Sequence, residues 1–224
     1  MIELNLISFG KSLFFGKTAW EKIFPFPANS LKIPEDAAMV IESMKKFFEN
    51  NPNIEGIDKA GKISDEILTS LKEMGLFGMI VPEEYGGCNF SQTTYARIME
   101  YIAASEASLA ATIGAHQSIG MKAILLFGTE EQKKKYLPDL ATGKRVAAFA
   151  LTEPTAGSDA AGIKTKVVPI EDGKYFLLNG TKQWITNGGE AETYSVIAIT
   201  DKSKGSRGAT AFIVEKGTPG FTFG

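Results

Sequence analysis

The sequence predicts an α+β protein: an N-terminal all-α helical bundle followed by a small antiparallel, β-barrel-like domain. Three observations carry this. Up to about Gly143, apolar residues recur at three- and four-residue steps, the period of a helix buried on one face. After Arg145 the period changes to two, the period of a strand. The helices precede the strands without alternating with them, which excludes a doubly wound α/β plan. The expected divisions are an N-terminal extension over 1–33, a helical domain over 34–144 and a β domain over 145–224.

The first helix is read from Val40, Ile41, Met44, Phe47 and Phe48, which form one apolar stripe, with Pro34 near its start, where a missing N–H costs nothing. Ser64 is placed to cap a second helix carrying Ile67, Leu68, Leu71 and Met74, with Gly75 as its stop. Tyr95, Ile98, Met99 and Ile102 mark a third. The stretch 107–127 is apolar nearly all round and is expected as one helix in the middle of the bundle; His116, Gln117 and Lys122 interrupt it and argue against a membrane span. Thr129-Glu-Glu-Gln132 has capping-box spacing and opens a further helix that ends near Gly143. In the second half, Asn179-Gly180 lies between Tyr175–Leu178 and Lys182–Thr186, a hairpin signal. Two more strands are expected over 194–200 and 209–214, separated by the polar turn 201–208.

Composition narrows the function classes. Hydrophobic residues make up 44% of the 224, enough to build a core. A net charge of −2 lacks the dense basic face that nucleic-acid binding needs. A lone Cys88 allows no internal disulfide, so a reducing compartment is the default, and one cysteine with one histidine leaves no transition-metal site. Residues 1–10 carry an acidic Glu3 and no arginine, and are read as neither a signal peptide nor an Arg-rich transit peptide. Asn89-Phe-Ser91 and Asn179-Gly-Thr181 match the glycosylation pattern without a secretory signal and are read as chance.

Familiar chemistries are also missing. There is no Gly-x-Gly-x-x-Gly after a strand and no phosphate loop. His116 and Ser118 are two apart on an expected helix and face different ways, so the histidine cannot activate the serine. A packed, hydrogen-bonded His116 is expected instead. Lys133, Lys134 and Lys135 read as a solvated helix face.

Four ordered blocks then point to a family. Ala150-Leu-Thr-Glu-Pro-Thr-Ala-Gly-Ser-Asp159, with Gly162 after it, matches the acyl-CoA dehydrogenase signature. Asn179-Gly-Thr-Lys-Gln-Trp-Ile-Thr-Asn-Gly-Gly189 follows at the family's usual distance. Val81-Pro-Glu-Glu-Tyr-Gly-Gly87 and Gly128-Thr-Glu-Glu-Gln-Lys-Lys-Lys-Tyr-Leu-Pro138 are similar to family blocks as well. The chain therefore resembles the acyl-CoA dehydrogenases from about residue 12 onward. Gly114-Ala-His-Gln-Ser-Ile-Gly120 and Lys22-Ile-Phe-Pro-Phe-Pro27 resemble the branch of the very-long-chain enzyme and acyl-CoA dehydrogenase family member 9, and the stretch from Ile57 through Tyr85 looks closer to the latter. One departure is Gly86-Gly87-Cys88-Asn89, where the family has Gly-Gly-Leu-Gly; asparagine tolerates the left-handed turn that such a block needs.

The resemblance implies FAD as cofactor and the conversion of long-chain fatty acyl-CoA to trans-2-enoyl-CoA in mitochondrial β-oxidation. A carboxylate takes the proton next to the carbonyl and the flavin accepts a hydride from the next carbon. The residues that match the family's flavin wall are Phe149, Leu151, Thr152, Gly157, Ser158, Trp184, Ile185 and Thr186, with Ser158 also placed toward substrate. Each has a plainer reading: a tryptophan in core, a threonine ending a strand, a Gly157-Ser158-Asp159 turn. With both motifs in register, the flavin reading is preferred. The family's base lies in a C-terminal helical domain, expected beyond Gly224, so no catalytic residue is named, Glu153 included. This chain alone is expected to be inactive, the full-length protein to be a homodimer, and the electron acceptor to be electron-transfer flavoprotein. A different class also fits: a non-catalytic interaction protein, such as a respiratory complex I assembly factor.

Overall fold

The computed structural model describes residues 8–25, 32–51, 54 and 56–224, and among them eight α-helices precede five strands. Residues 1–7, Phe26 and Pro27 of the N-terminal reading lie outside the described residues. The helices are α1 (Phe9–Phe14), α2 (Glu35–Asn50), α3 (Gly56–Ala60), α4 (Asp65–Glu73), α5 (Gln92–Ser105), α6 (Ala107–Ala115), α7 (Lys122–Phe127) and α8 (Glu130–Ala141).

Local sequence explains the ends of most of them. Ser64 accepts a hydrogen bond from the Ile67 N–H at the start of α4, and Gly75, with φ +73°, ends that turn in the left-handed region. Ser91 caps α5 through the Thr94 N–H. Thr129 and Gln132 form both halves of the expected capping box on α8. The apolar stripes meet as expected. Met44 and Phe47 of α2 pack with Ile98 and Ile102 of α5, Leu71 of α4 and Ile113 of α6 in one buried cluster. Asn89 takes φ +52°, the left-handed conformation expected where the family has glycine.

The stretch 107–127 departs from the expected single buried helix. It breaks at a π-helical turn, His116–Gly120, between α6 and α7. Its far end also turns outward, with Phe127 85% exposed and Leu126 and Ile119 exposed beside it. The break lets His116 face the sheet. His116 is fully buried; the Ala147 N–H donates to its Nδ1 at 2.9 Å, so Nε2 carries the proton and donates to the Leu140 carbonyl at 3.0 Å. Burial pushes its pKa down to about 4. The packed, hydrogen-bonded histidine is therefore found as expected. Ser118 bonds the Gly114 carbonyl one turn back, at 2.7 Å. Gly120 approaches the same strand: a Cβ there would sit 2.7 Å from the Ala147 carbonyl oxygen, so only glycine fits.

The strands are β1 (Ala147–Ala150), β2 (Lys166–Ile170), β3 (Tyr175–Asn179), β4 (Thr193–Ile199) and β5 (Ala209–Glu215). β4 is the centre. β5 pairs antiparallel along its whole length, from Thr193 opposite Glu215 to Ile199 opposite Ala209. On its other edge β1 runs parallel beside Thr193–Val196, and β2 meets it, also parallel, at Ile199. The sheet is thus mixed, and it is not closed into a barrel, which corrects the antiparallel, barrel-like expectation. The parallel pairing of β1 with β4 is non-local, spanning more than forty residues, and no periodicity within a strand encodes it.

The expected hairpin at Asn179-Gly180 is also absent. β3 pairs instead with β2, through a turn at Glu171, Asp172 and Gly173, which all have positive φ. Asp172-Gly173 is itself a hairpin dipeptide, and here it is the one used. Gly180 matters for close packing instead, since a Cβ there would collide with Thr165.

Candidate flavin-facing site

β1 carries the first part of the site. Ala148 and Ala150 point into the core, which leaves Phe149 half-buried on the other face, followed by half-buried Leu151 and Thr152. β1 ends at Ala150, so Leu151 lies just past the strand that carries Phe149. Glu153 and Ala156 then bond each other through both backbone pairs, at 3.0 and 3.1 Å, and close a tight turn. Gly157 and Ser158 emerge from that turn exposed to solvent.

The second part is the segment 180–191, which is a loop rather than the expected strand. Its first half lies against the end of β1. The Lys182 Nζ donates to the Leu151 carbonyl at 2.9 Å, and the Gln183 N–H donates to the Thr152 carbonyl at 2.9 Å. Trp184 follows at once. Its φ is +59°, a region that bulky L-residues avoid, and its side chain is 82% exposed. Ile185 turns inward and packs against the sheet core of Ala148, Ala150, Tyr194 and Val196. Thr186 is exposed, and Asn187, with φ +61°, donates through Nδ2 to the Thr112 carbonyl of α6 at 3.1 Å. Because 184–187 is a turn, Trp184 and Thr186 do not sit on one face of the strand expected over Lys182–Thr186.

Beneath this surface lies Glu153, 6% exposed. Its carboxylate accepts from the Lys164 N–H at 2.6 Å, from the Thr165 N–H at 2.9 Å and from the Thr165 hydroxyl, and it pairs with Lys182 Nζ at 2.9 Å. Burial alone would raise its pKa; the donors from Thr165, Lys182 and Lys164 outweigh burial and hold it at about 2. An ionised carboxylate with this many donors is a poor proton acceptor, in keeping with its exclusion as the base. At the far end of the loop the buried Tyr194 hydroxyl reaches the Gly188 and Ala191 carbonyls. Burial pushes the pKa of that hydroxyl up to about 12, so it stays a donor.

The structure therefore brings Leu151 and Thr152 together with the loop that bears Trp184, and leaves Gly157 and Ser158 on the next exposed turn. Sequence reasoning did not single out Lys182, Gln183 or Asn187, which brace that loop. Lys182 stands two residues before Trp184, but nothing in a sequence announces a left-handed tryptophan.

The residues present suit a planar, partly apolar ligand. A mostly exposed indole sits on a loop whose preceding residue, Gln183, bonds the Thr152 carbonyl, so an apolar side chain and the hydroxyl-bearing end of β1 belong to neighbouring segments. Comparison with known proteins identifies the family. Residues 34–144 match the N-terminal domain of acyl-CoA dehydrogenases and residues 148–224 match their middle domain. The chain is 44% identical over 223 residues to the human mitochondrial very long-chain specific acyl-CoA dehydrogenase, covering 97% of this chain and 34% of that protein. Butyryl-CoA dehydrogenase from Megasphaera elsdenii superposes with a TM-score of 0.80 at 39% identity, covering 86% of this chain and 51% of that one. An acyl-CoA dehydrogenase from Bacillus anthracis, solved in complex with FAD, gives a TM-score of 0.73 at 39% identity, covering 86% of this chain and 33% of that one. These relatives are FAD-dependent oxidoreductases. The chain belongs to the acyl-CoA dehydrogenase family, and it spans about a third of the length of the curated relatives it matches.

Proposed function

We propose that this chain forms the flavin-facing wall of an enzyme that converts long-chain fatty acyl-CoA to trans-2-enoyl-CoA. The observation that carries the reading is Trp184: an exposed indole on a left-handed backbone, braced next to Thr152. Residues in sparsely populated backbone regions persist only where the surrounding structure holds them, and they cluster at active sites and ligand clamps. The long-chain assignment rests on the 44% identity to the human very long-chain enzyme.

FAD, when bound, supplies the hydride acceptor. The indole of Trp184 and the side chains of Phe149 and Leu151 would wall off one side of the ring and keep water from it. The hydroxyls of Thr152 and Thr186 would hydrogen-bond the polar edge of the ring. Gly157 and Ser158 would offer a backbone N–H and a hydroxyl to an anionic or carbonyl group of cofactor or substrate. Glu153 takes no proton, and the base is assigned to a part of the enzyme outside 1–224. Electron-transfer flavoprotein as acceptor, a homodimer and a mitochondrial location complete the proposal.

The test is to add FAD to the purified chain, remove the excess, and record flavin absorbance before and after palmitoyl-CoA. The account predicts weak, reversible FAD binding and no bleaching, because without a base the proton step loses about 10²–10⁴-fold. Tightly held flavin that bleaches would place the base within 1–224. No FAD binding at millimolar concentration would favour the non-catalytic interaction protein instead.

A further inference from the structure

The left-handed backbone at Trp184 raises a question that the flavin reading leaves open: what holds it. An 82% exposed side chain makes few contacts of its own, so the strained conformation must be fixed from its flanks. Upstream, Lys182 donates from one Nζ to both the Leu151 carbonyl and the Glu153 carboxylate, each at 2.9 Å. Glu153 in turn is anchored by Lys164 and Thr165, and the Thr165 carbonyl accepts from the Ile199 N–H of β4 at 2.8 Å. Three segments thus converge on one buried carboxylate: the end of β1, the start of β2 and the approach to Trp184. Gly180 lets the third segment lie flush against Thr165. Downstream, the Asn187 amide reaches across to the Thr112 carbonyl on α6, outside the sheet. Asn187 is left-handed too, so the two strained residues stand at either side of Ile185 and Thr186.

We propose that Lys182, paired with Glu153, and Asn187, bonded to Thr112, are positioning residues that together present the Trp184 indole to its planar ligand. They act through Trp184 and touch no ligand themselves. The first anchors the loop to the sheet and the second to the helical bundle, so the indole is held between the two halves. The consequence for binding rests on the flavin reading; the rigidity of the indole does not.

The chain has only two tryptophans, Trp20 and Trp184, so Trp20→Phe leaves Trp184 as the sole indole. The readouts are the emission anisotropy of that indole without ligand, and the quenching of its emission by added FAD. The variants are Lys182→Met, and Asn187→Gly, which removes the amide while tolerating the left-handed backbone. Leu137→Ala, a buried position in α8 away from the loop, controls for general destabilisation. Both loop variants are expected to lower the anisotropy and to raise the FAD concentration for half-quenching, by several-fold for the neutral Asn187 bond and by about 10- to 100-fold for the charge-assisted Lys182 pair. Leu137→Ala should leave both readouts near the parent's while lowering the melting temperature. Should Lys182→Met fail to fold by circular dichroism, Asn187→Gly decides. Folded loop variants that keep the parent's anisotropy and half-quenching concentration would overturn the proposal. If FAD does not quench the parent, the flavin reading fails, and the anisotropy alone decides the positioning role.

Discussion

His116 and Glu153 are both buried titratable groups, one at the joint between helices and sheet and the other under the Trp184 loop, and the two regions use one neutral and the other charged. His116 meets one backbone N–H and one backbone carbonyl, a pair that a neutral imidazole satisfies and a charged one does not. Glu153 meets only donors, three from the segment 164–165 and one from Lys182, which suit a carboxylate. Where the fold needs a fixed joint, a neutral group bridges donor and acceptor. Where several segments must converge, a charge collects them.

The comparison can be broken by removing each group. Glu153→Gln should have the larger effect, a loss of about 3–5 kcal/mol in unfolding free energy, because Lys182 is left buried without its counter-charge. The folded-state pKa of Glu153, about 2, lies below its usual 4.5, so its contribution is complete above pH 4.5 and fades as pH falls toward 2. Urea melts at stepped pH should show the gap between parent and variant closing across that window. A gap constant down to pH 2 would contradict the charged reading.

His116→Leu should cost about 2–3 kcal/mol near neutral pH, since the Ala147 N–H and Leu140 carbonyl lose their partner. Here the sign also favours high pH. The imidazole takes a proton near 6.5 when unfolded and only near 4 when folded, so the parent loses stability as pH falls from about 6.5 to about 4. The variant lacks that slope, and the difference should shrink over this range, above the window of Glu153. The smallest effect is expected far from both groups: Thr129→Ala removes one helix cap and should lower stability by about 1 kcal/mol, with no dependence on pH between 4 and 8. Thermal melts of that variant check it.

The same two regions differ in how far the sequence reveals them. Around α4 and α8, capping residues and apolar stripes act within a few positions of one another, and the structure follows them. β4 and β5 lie within a residue of the runs expected from their composition. What pairs with what is less legible. Asn179-Gly180 and Asp172-Gly173 are both hairpin dipeptides; the second forms the turn, and Gly180 instead lies where only glycine fits against Thr165. In the site, the motif blocks point to Leu151, Thr152 and Trp184, and the structure places those segments side by side. The braces are hidden because Asn187 bonds a carbonyl 75 positions away and Lys182 one 31 positions away. The π-turn at His116 is hidden for the same reason: its partner on β1, the Ala147 N–H, lies 31 positions away.

The central claim is that 149–158 and 184–186, the latter held by Asn187 from behind, form one surface that receives a flavin. Titrating FAD into the ¹⁵N-labelled chain and following the backbone amides tests it most directly, since weak binding suffices. The account predicts dose-dependent shifts at Leu151, Thr152, Gly157, Ser158 and the amides of 183–187, with α2 and α5 unmoved. Shifts centred on the helical bundle, or none in these two segments at saturating FAD, would contradict it.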